Sequence, residues 1–205
     1  MLELLNIASG GKSSNIVAGG DVPMKDGLWD VTGTGLGTFN AGPVPSPTSK
    51  AGRECIVYHP DTWLALTGFD PAVGGTYAGM FFVPSAAASQ RRYFMGSAYA
   101  MRQYCFWAKN LEQKMYFYSS DYSVNKVMGA YPEDEWFHAI FTYKDKVYKL
   151  YINGEFKAEH AHPMSNDRFY PVASYEGEVF AYNQRIYKRE ITAAEAADIY
   201  ASDSK

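Results

Sequence analysis

The sequence predicts an all-β fold: an antiparallel jelly-roll β-sandwich with one short C-terminal α-helix. Three observations predict it. Aromatic residues make up 16% of the chain, led by 17 Tyr, and such side chains suit half-buried sheet surfaces. From residue 53 onward, short apolar or alternating runs are separated by turn signals at intervals of about ten residues, the spacing of a sandwich. A helical pattern is seen only at the end, in ITAAEAADIY.

Ten of the 18 glycines fall within residues 1–52, together with the segment GPVPSPTSK. Residues 1 to about 50 are therefore expected to be loop-rich and partly extended. Pro43, Pro45 and Pro47 favour a polyproline-like, stiff connection. ECIVYH (54–59), TYAGMFFV (76–83), RRYFMGS (91–97), MRQYCFWA (101–108) and KMYFYS (114–119) read as successive strands. EWFHAIFTY (135–143) is bulky on both faces, as a central strand covered on both sides should be. In GEVFAYNQRIY (177–187), alternation places Phe180, Tyr182 and Ile186 on one face.

KVYKLYINGEFKAEH (146–160) is a hairpin, because Asn-Gly sits between two alternating arms. A two-residue loop would set Ile152 opposite Glu155 and mix apolar with charged residues on one face. A three-residue loop with a bulge at Gly154 is expected instead. It would pair Tyr151 with Glu155, Leu150 with Phe156 and Tyr148 with Ala158, leaving Lys149 opposite Lys157. In the terminal segment Thr192 and Glu195 have the spacing of a capping box, and the alanines that follow favour a helix over about 193–201. Ile199 and Tyr200 supply its packing face.

At 205 residues the chain is expected to be a single domain, 1–205, with a substantial core. A net charge of −3 gives no basic footprint, which excludes the usual electrostatics of nucleic-acid binding. No apolar run approaches the ~18 residues that span a bilayer, so no membrane insertion is expected. MLELLNIASGGKSSN lacks the basic start of a secretion signal. Cys55 and Cys105 could pair across a sandwich or remain two buried thiols.

The second half resembles the laminin-G-like and pentraxin-like branch of the concanavalin A-like lectin/glucanase superfamily. Three blocks carry the likeness. The first is Trp136 and His138 with the apolar run after them. The second is the Leu150-Tyr151-Ile152-Asn153-Gly154 hairpin. The third is the ending Arg185-Ile186-Tyr187-Lys188-Arg189-Glu190-Ile191-Thr192, followed by Glu195. They make Trp136, His138, Asn153, Gly154, Tyr187, Arg189, Thr192 and Glu195 fold-signature residues. The resemblance implies a sandwich. It says little of function, because that superfamily holds lectins, lyases, glycosidases, adhesion modules and viral structural domains.

No catalytic residue is assigned. The superfamily's glycosidases carry closely spaced carboxylates on one strand, and E-x-D-x-x-E is absent here. Glu133, Asp134 and Glu135, and likewise Glu176 and Glu178, are expected to be solvated turn charges. His160 and His162 could present two imidazoles on one face for a metal. The resemblance leaves calcium open, with Asp121, Asp134, Asp145, Asn166 and Asp167 as loop oxygens but no dense acidic string. No cofactor is expected. Trp63, Tyr104, Trp107 and Tyr122 are the candidates for stacking on sugar rings.

The expected function is a non-enzymatic structural or interaction protein. The chain starts with its own Met1 and lacks an export signal, so it reads as a free-standing sandwich located in a virion, or in the host cytoplasm before assembly. Laminin-G-like sandwiches occur in phage head and tail proteins, so a head-decoration or tail component comes first, with other subunits as partners. A carbohydrate-binding or adhesion module is the alternative, with glycans as partners, and a polysaccharide-degrading enzyme comes last.

Overall fold

The computed structural model describes residues 24–25, 28–29, 37–39, 45–60, 62–66, 72–86, 90–97, 104–109, 112–119, 125–162, 169–174 and 176–205. Among them the strands are β1 (Met24–Lys25), β2 (Leu28–Trp29), β3 (Gly37–Phe39), β4 (Ser46–Lys50), β5 (Arg53–Tyr58), β6 (Thr62–Leu66), β7 (Gly75–Phe82), β8 (Arg91–Ser97), β9 (Tyr104–Lys109), β10 (Lys114–Ser119), β11 (Asn125–Ala130), β12 (Trp136–Lys144), β13 (Val147–Ile152), β14 (Glu155–Ala161), β15 (Phe169–Ser174) and β16 (Val179–Tyr187), followed by helix α1 (Ala193–Asp203). Two seven-stranded sheets form, ordered β11-β10-β9-β8-β15-β6-β3 and β14-β13-β12-β7-β16-β5-β4, beside a two-stranded β1-β2 ribbon. The pairings are antiparallel, so the fold is the antiparallel sandwich with one C-terminal helix that the sequence predicts.

Phe141 of β12 sits at the centre of the inter-sheet core, with its ring 5.4 Å from Phe94, 5.1 Å from Phe106 and 6.1 Å from Phe81. Perpendicular and offset ring pairs of this kind add to the area that they bury. β12 is covered on both faces, as its bulk predicts. Phe137, Ala139, Phe141 and Tyr143 enter the inter-sheet core, while Ile140 joins Ala78, Tyr151, Tyr187, Ile191, Ala196 and Ile199 beneath α1. The helix-bearing sheet is thus the middle layer.

The hairpin corrects the expected register. Asn153 (φ 51°) and Gly154 (φ 77°) form a two-residue turn, and Ile152 pairs directly with Glu155. Two successive positive φ values are those of the primed turn, whose twist matches the flanking strands. A bulge does occur, but farther along: Tyr151 faces Phe156 and Leu150 faces Ala158, which leaves Lys157 as the extra residue. Leu150 is therefore in the core while Phe156 is 51% exposed, so the two do not share a face. Lys149 faces Glu159 rather than Lys157, an opposite-charge pairing. Gly154 has the expected positive φ.

A second bulge corrects β16. Asn183 (φ 50°) interrupts the ladder between Tyr182 and Arg185, and side chains beyond it change face. Phe180 and Tyr182 pack outside the sheet with Met80 and Phe82, whereas Ile186 enters the inter-sheet core. Gln184 is turned inward, where its Oε1 accepts hydrogen bonds from Tyr58 (2.9 Å) and Tyr77 (2.7 Å). Part of the proline-rich segment is strand: Pro47 lies opposite Ile56 on the edge strand β4, where a missing N–H is tolerated.

α1 starts as predicted and runs two residues farther, to Asp203. The Thr192 hydroxyl accepts from the Glu195 N–H (3.2 Å), and the Glu195 carboxylate accepts from the Thr192 N–H (2.8 Å). Arg189 clamps the same carboxylate with two bonds of 2.6 and 3.0 Å. The Arg189 bonds lead in holding this carboxyl down to about 2, with partial burial opposing and Thr192 assisting. Thr192→Ala is expected to lower stability by about 1 kcal/mol, measured by urea unfolding at neutral pH.

Candidate functional site

Several of the residues expected to be fold-signature residues lie where α1 meets the hairpin and β12. Asn153 Oδ1 accepts the His138 N–H (2.9 Å), and the Asn153 N–H donates to the His138 carbonyl (2.9 Å). The turn is thereby stitched to the central strand. His138 is fully buried, with Nε2 3.3 Å from Asp203 Oδ2 and its ring 5.8 Å from that of Tyr200. Asp203 in turn binds both terminal nitrogens of Arg185, one at 2.8 Å. Trp136 donates to the Lys50 carbonyl (3.3 Å) and stacks edge-on with Phe82 and Tyr182. Arg189 lies over the Tyr187 ring. This set docks α1, the hairpin and three strands to one another.

Of the acidic groups expected to be solvated turn charges, Asp134 and Glu135 are exposed in a bend as expected, while Glu133, Asp134, Glu176 and Glu178 also make specific contacts. Glu176 takes two bonds from the Arg91 guanidinium (2.7 and 3.1 Å) and one from its N–H (2.8 Å). Glu178 lies 3.1 Å from His59 Nδ1. Asp134 accepts from the Ser85 N–H (3.0 Å), and Glu133 from the Tyr131 hydroxyl (3.2 Å). The Glu176, Glu178 and Asp134 contacts tie segments distant in sequence, whereas that of Glu133 is local.

Three of the four proposed stacking residues lie on described strands, which are not neighbours. Trp63 is on β6 and Tyr104 and Trp107 are on β9, in one sheet but with β8 and β15 between the two strands. Trp107 is only 6% exposed, and its ring stacks on Tyr116 with centroids 5.1 Å apart. Tyr122 lies outside the described residues, as do Asp121, Asn166 and Asp167 among the loop oxygens. His160 and His162 do share a face, their rings 6.2 Å apart and both against Phe117. Among the described residues, no three His, Cys, Asp or Glu side chains gather as a metal site. Cys55 is a buried free thiol, which burial pushes up to about 11, Lys50 opposing. The Cys105 side chain is outside the described set.

Among the described residues, a concavity with ligand dimensions lies elsewhere, where the two sheet edges β11 and β14 meet. Lys126 Nζ donates to the Glu159 carbonyl across this seam (3.0 Å). A Cβ at Gly129 would lie 3.2 Å from the Lys157 Cβ, so the edges approach within side-chain contact. At the end of the seam the β11–β12 connection stands off from the Asn-Gly hairpin. The cleft between them has a volume of about 430 Å³ and is lined by Ala130, Tyr131, Pro132, Ile152, Asn153, Glu155 and Lys157. Small-molecule sites are typically about 300–1,000 Å³.

Tyr131 and Ile152 are 3% and 4% exposed and, with Pro132, form an apolar floor. Asn153, Glu155 and Lys157 are the polar rim, with Lys157 Nζ 2.6 Å from Glu155 Oε2. The Lys157 ammonium holds the Glu155 carboxyl below its ordinary value. An acceptor and a donor set side by side above an apolar floor suit a hydroxyl-bearing ligand. Glu155 is the single carboxylate in the lining, whereas hydrolysis of a glycosidic bond ordinarily uses two.

No protein-family model and no curated protein matches the chain. Solved structures do. The binding domain of botulinum neurotoxin serotype D superposes with a TM-score of 0.61 at 11% identity, over 88% of this chain and 50% of that one. For the binding domain of Paraclostridial Mosquitocidal Protein 1 the values are 0.59 and 10%, over 87% and 50%. A Trypanosoma rangeli sialidase mutant displaying trans-sialidase activity gives 0.59 and 10%, over 82% and 30%. The likeness is one of fold. This chain spans half or less of the length of each of these structures. No helix among the described residues is long and apolar enough to cross a membrane.

Proposed function

We propose that this protein is a non-catalytic recognition module that holds a hydroxyl-rich ligand, first of all a saccharide, in the cleft beside the Asn-Gly hairpin. The observation that carries this reading is the pairing of Glu155 and Lys157 on the rim above Tyr131, Pro132 and Ile152. Carboxylate and ammonium can bond adjacent hydroxyls while a sugar's C–H face lies on the floor. The binding domains of the two toxins support a recognition role for such a sandwich. A glycan array probed with the full chain, followed by calorimetry on the best binder, tests the proposal. Glu155→Ala combined with Lys157→Ala is expected to weaken that binder about tenfold or more. Both side chains are at the surface, so the fold should survive the change. Absence of any specific glycan, or binding that ignores both substitutions, would refute it.

A second reading, the virion subunit or another self-assembling protein of laminin-G-like type, is supported by Val127 and Phe156. These large apolar side chains are 46% and 51% exposed, one on each of the two edge strands that meet at the seam. A neighbouring subunit would cover them. Sedimentation that shows a concentration-dependent oligomer, lost in Phe156→Ser, would favour this reading over the glycan.

A further inference from the structure

We propose that His138 is a positioning residue for the cleft: through it α1 holds the Asn-Gly hairpin in place, and acid that charges its imidazole loosens that wall. The inference rests on the cleft being the binding site, but its structural part can be tested without a ligand.

A continuous line of contacts runs from the imidazole to the cleft. His138 is buried, and its Nε2 approaches Asp203 Oδ2 at only 3.3 Å, longer than either Arg185 bond to the same carboxylate. Asp203 is already engaged by Arg185 and by Asn183 Nδ2 (3.4 Å), so the imidazole lies beside an ion pair that is complete without it. One turn earlier on α1, Tyr200 lies against both His138 and the hairpin tip. A Cβ built on Gly154 would be 2.8 Å from Tyr200 Cδ1. Gly154 follows Asn153, which lines the cleft. Displacing the end of α1 therefore removes the support behind the rim.

The charged and titratable groups around His138 are Asp203 and Tyr200 from α1, and Arg185 and Tyr182 from β16. β7 contributes Met80 opposite, and the hairpin Asn153, neither of which titrates. A proton on the imidazole would be attracted by Asp203, repelled by Arg185 and cut off from water. Burial leads in holding His138 below its ordinary value of 6.5, with Asp203 opposing and Arg185 adding to the shift. The undocked imidazole therefore takes up a proton first as pH falls. Docking is fully supported above pH 6.5 and weakens as pH falls from there toward the depressed folded value. A terminal helix is the kind of element that opens locally before the core does.

Hydrogen–deuterium exchange on the full chain, at about pH 7.5 and about pH 5.5 with intrinsic rates corrected, tests this. Residues 150–158 and 193–204 should lose protection by up to about tenfold at the lower pH, the limit for one proton with an undocked value of 6.5, while 76–82 keep theirs. In His138→Gln the difference should vanish. A wild-type chain whose hairpin and helix are insensitive to pH, a loss spread over the whole sandwich, or a His138→Gln chain that keeps the full pH dependence would each overturn the proposal. If His138→Gln does not fold, NMR titration of the wild-type histidines decides. The hairpin amides must move with the His138 midpoint, and independent movement overturns the proposal. Binding of the best array glycan at both pH values separates the two readings. Acid loosening without any glycan bound would fail the cleft, whereas tight binding indifferent to acid would fail His138.

Discussion

Asp203→Ala is expected to cost about 3–5 kcal/mol of stability, and to lower the melting temperature by on the order of 10 °C. The Asp203 side chain is fully buried, and its carboxylate takes two bonds from Arg185 and one from Asn183. Without it the guanidinium, itself only 9% exposed, keeps the Asn183 carbonyl at 3.3 Å as its remaining partner. Removing half of a buried ion pair costs more than the pair contributes, because the other charge is left without compensation. The effect should depend on pH. Burial alone would raise the Asp203 carboxyl, but His138 and Arg185 outweigh it and hold the group below its ordinary 3.8. A depressed carboxyl contributes stability above its unfolded value and loses it as pH falls through the folded one. The gap between wild type and variant should therefore be full at neutral pH and shrink below pH 3.8. Thermal unfolding followed across that range checks both parts, and a loss under about 1 kcal/mol at pH 7 would contradict them.

The strands and the helix were legible because each carries its own signal. The apolar run Tyr77 to Val83, the two-sided bulk of Phe137 to Tyr143 and the Thr192–Glu195 cap need no distant partner to be read. The bulges were not legible. Each adds one residue, and its sign in the sequence is no stronger than an Asn at Asn183 or a Lys at Lys157. Yet each bulge decides which face every later side chain occupies. The Asn-Gly turn was recognised but given the wrong loop length, because burial was balanced at the turn. The chain balances it two residues later, on β14.

The candidate site was less legible than the fold. Tyr131 and Pro132 meet Ile152 to Lys157 only because β11 and β14, the edges of different sheets, come together. No local pattern encodes that meeting. For the same reason Glu176 looked like a turn charge: its partner Arg91 is 85 residues away in sequence. Among the aromatic candidates, the alternation of Trp107 with Cys105 on a strand favours a core position, and Trp107 is indeed buried and stacked on Tyr116. Several of the residues singled out by the resemblance (His138, Asn153, Gly154, Thr192 and Glu195) lie where α1, the hairpin and β12 meet.

Gly154→Val is expected to cost about 2–4 kcal/mol, from two separable causes. Gly154 has a φ of +77°, where a β-branched residue is strained by about 1–2 kcal/mol. Its Cβ would also lie 2.8 Å from Tyr200 Cδ1 and 3.2 Å from Tyr200 Cβ. Those atoms belong to a side chain held between the hairpin and His138, so either the helix end or the turn must move, at a further cost of about 1–2 kcal/mol. A double-mutant cycle separates the causes. In a Tyr200→Ala background the clash is gone and the backbone strain remains, so Gly154→Val should then cost only about 1–2 kcal/mol. Costs that simply add would mean that Tyr200 does not bear on the turn, and the line of contact from helix to cleft would be broken at that point. A coupling of about 1 kcal/mol or more would instead place the hairpin tip under the control of the C-terminal helix, the condition on which the acid response of the cleft depends.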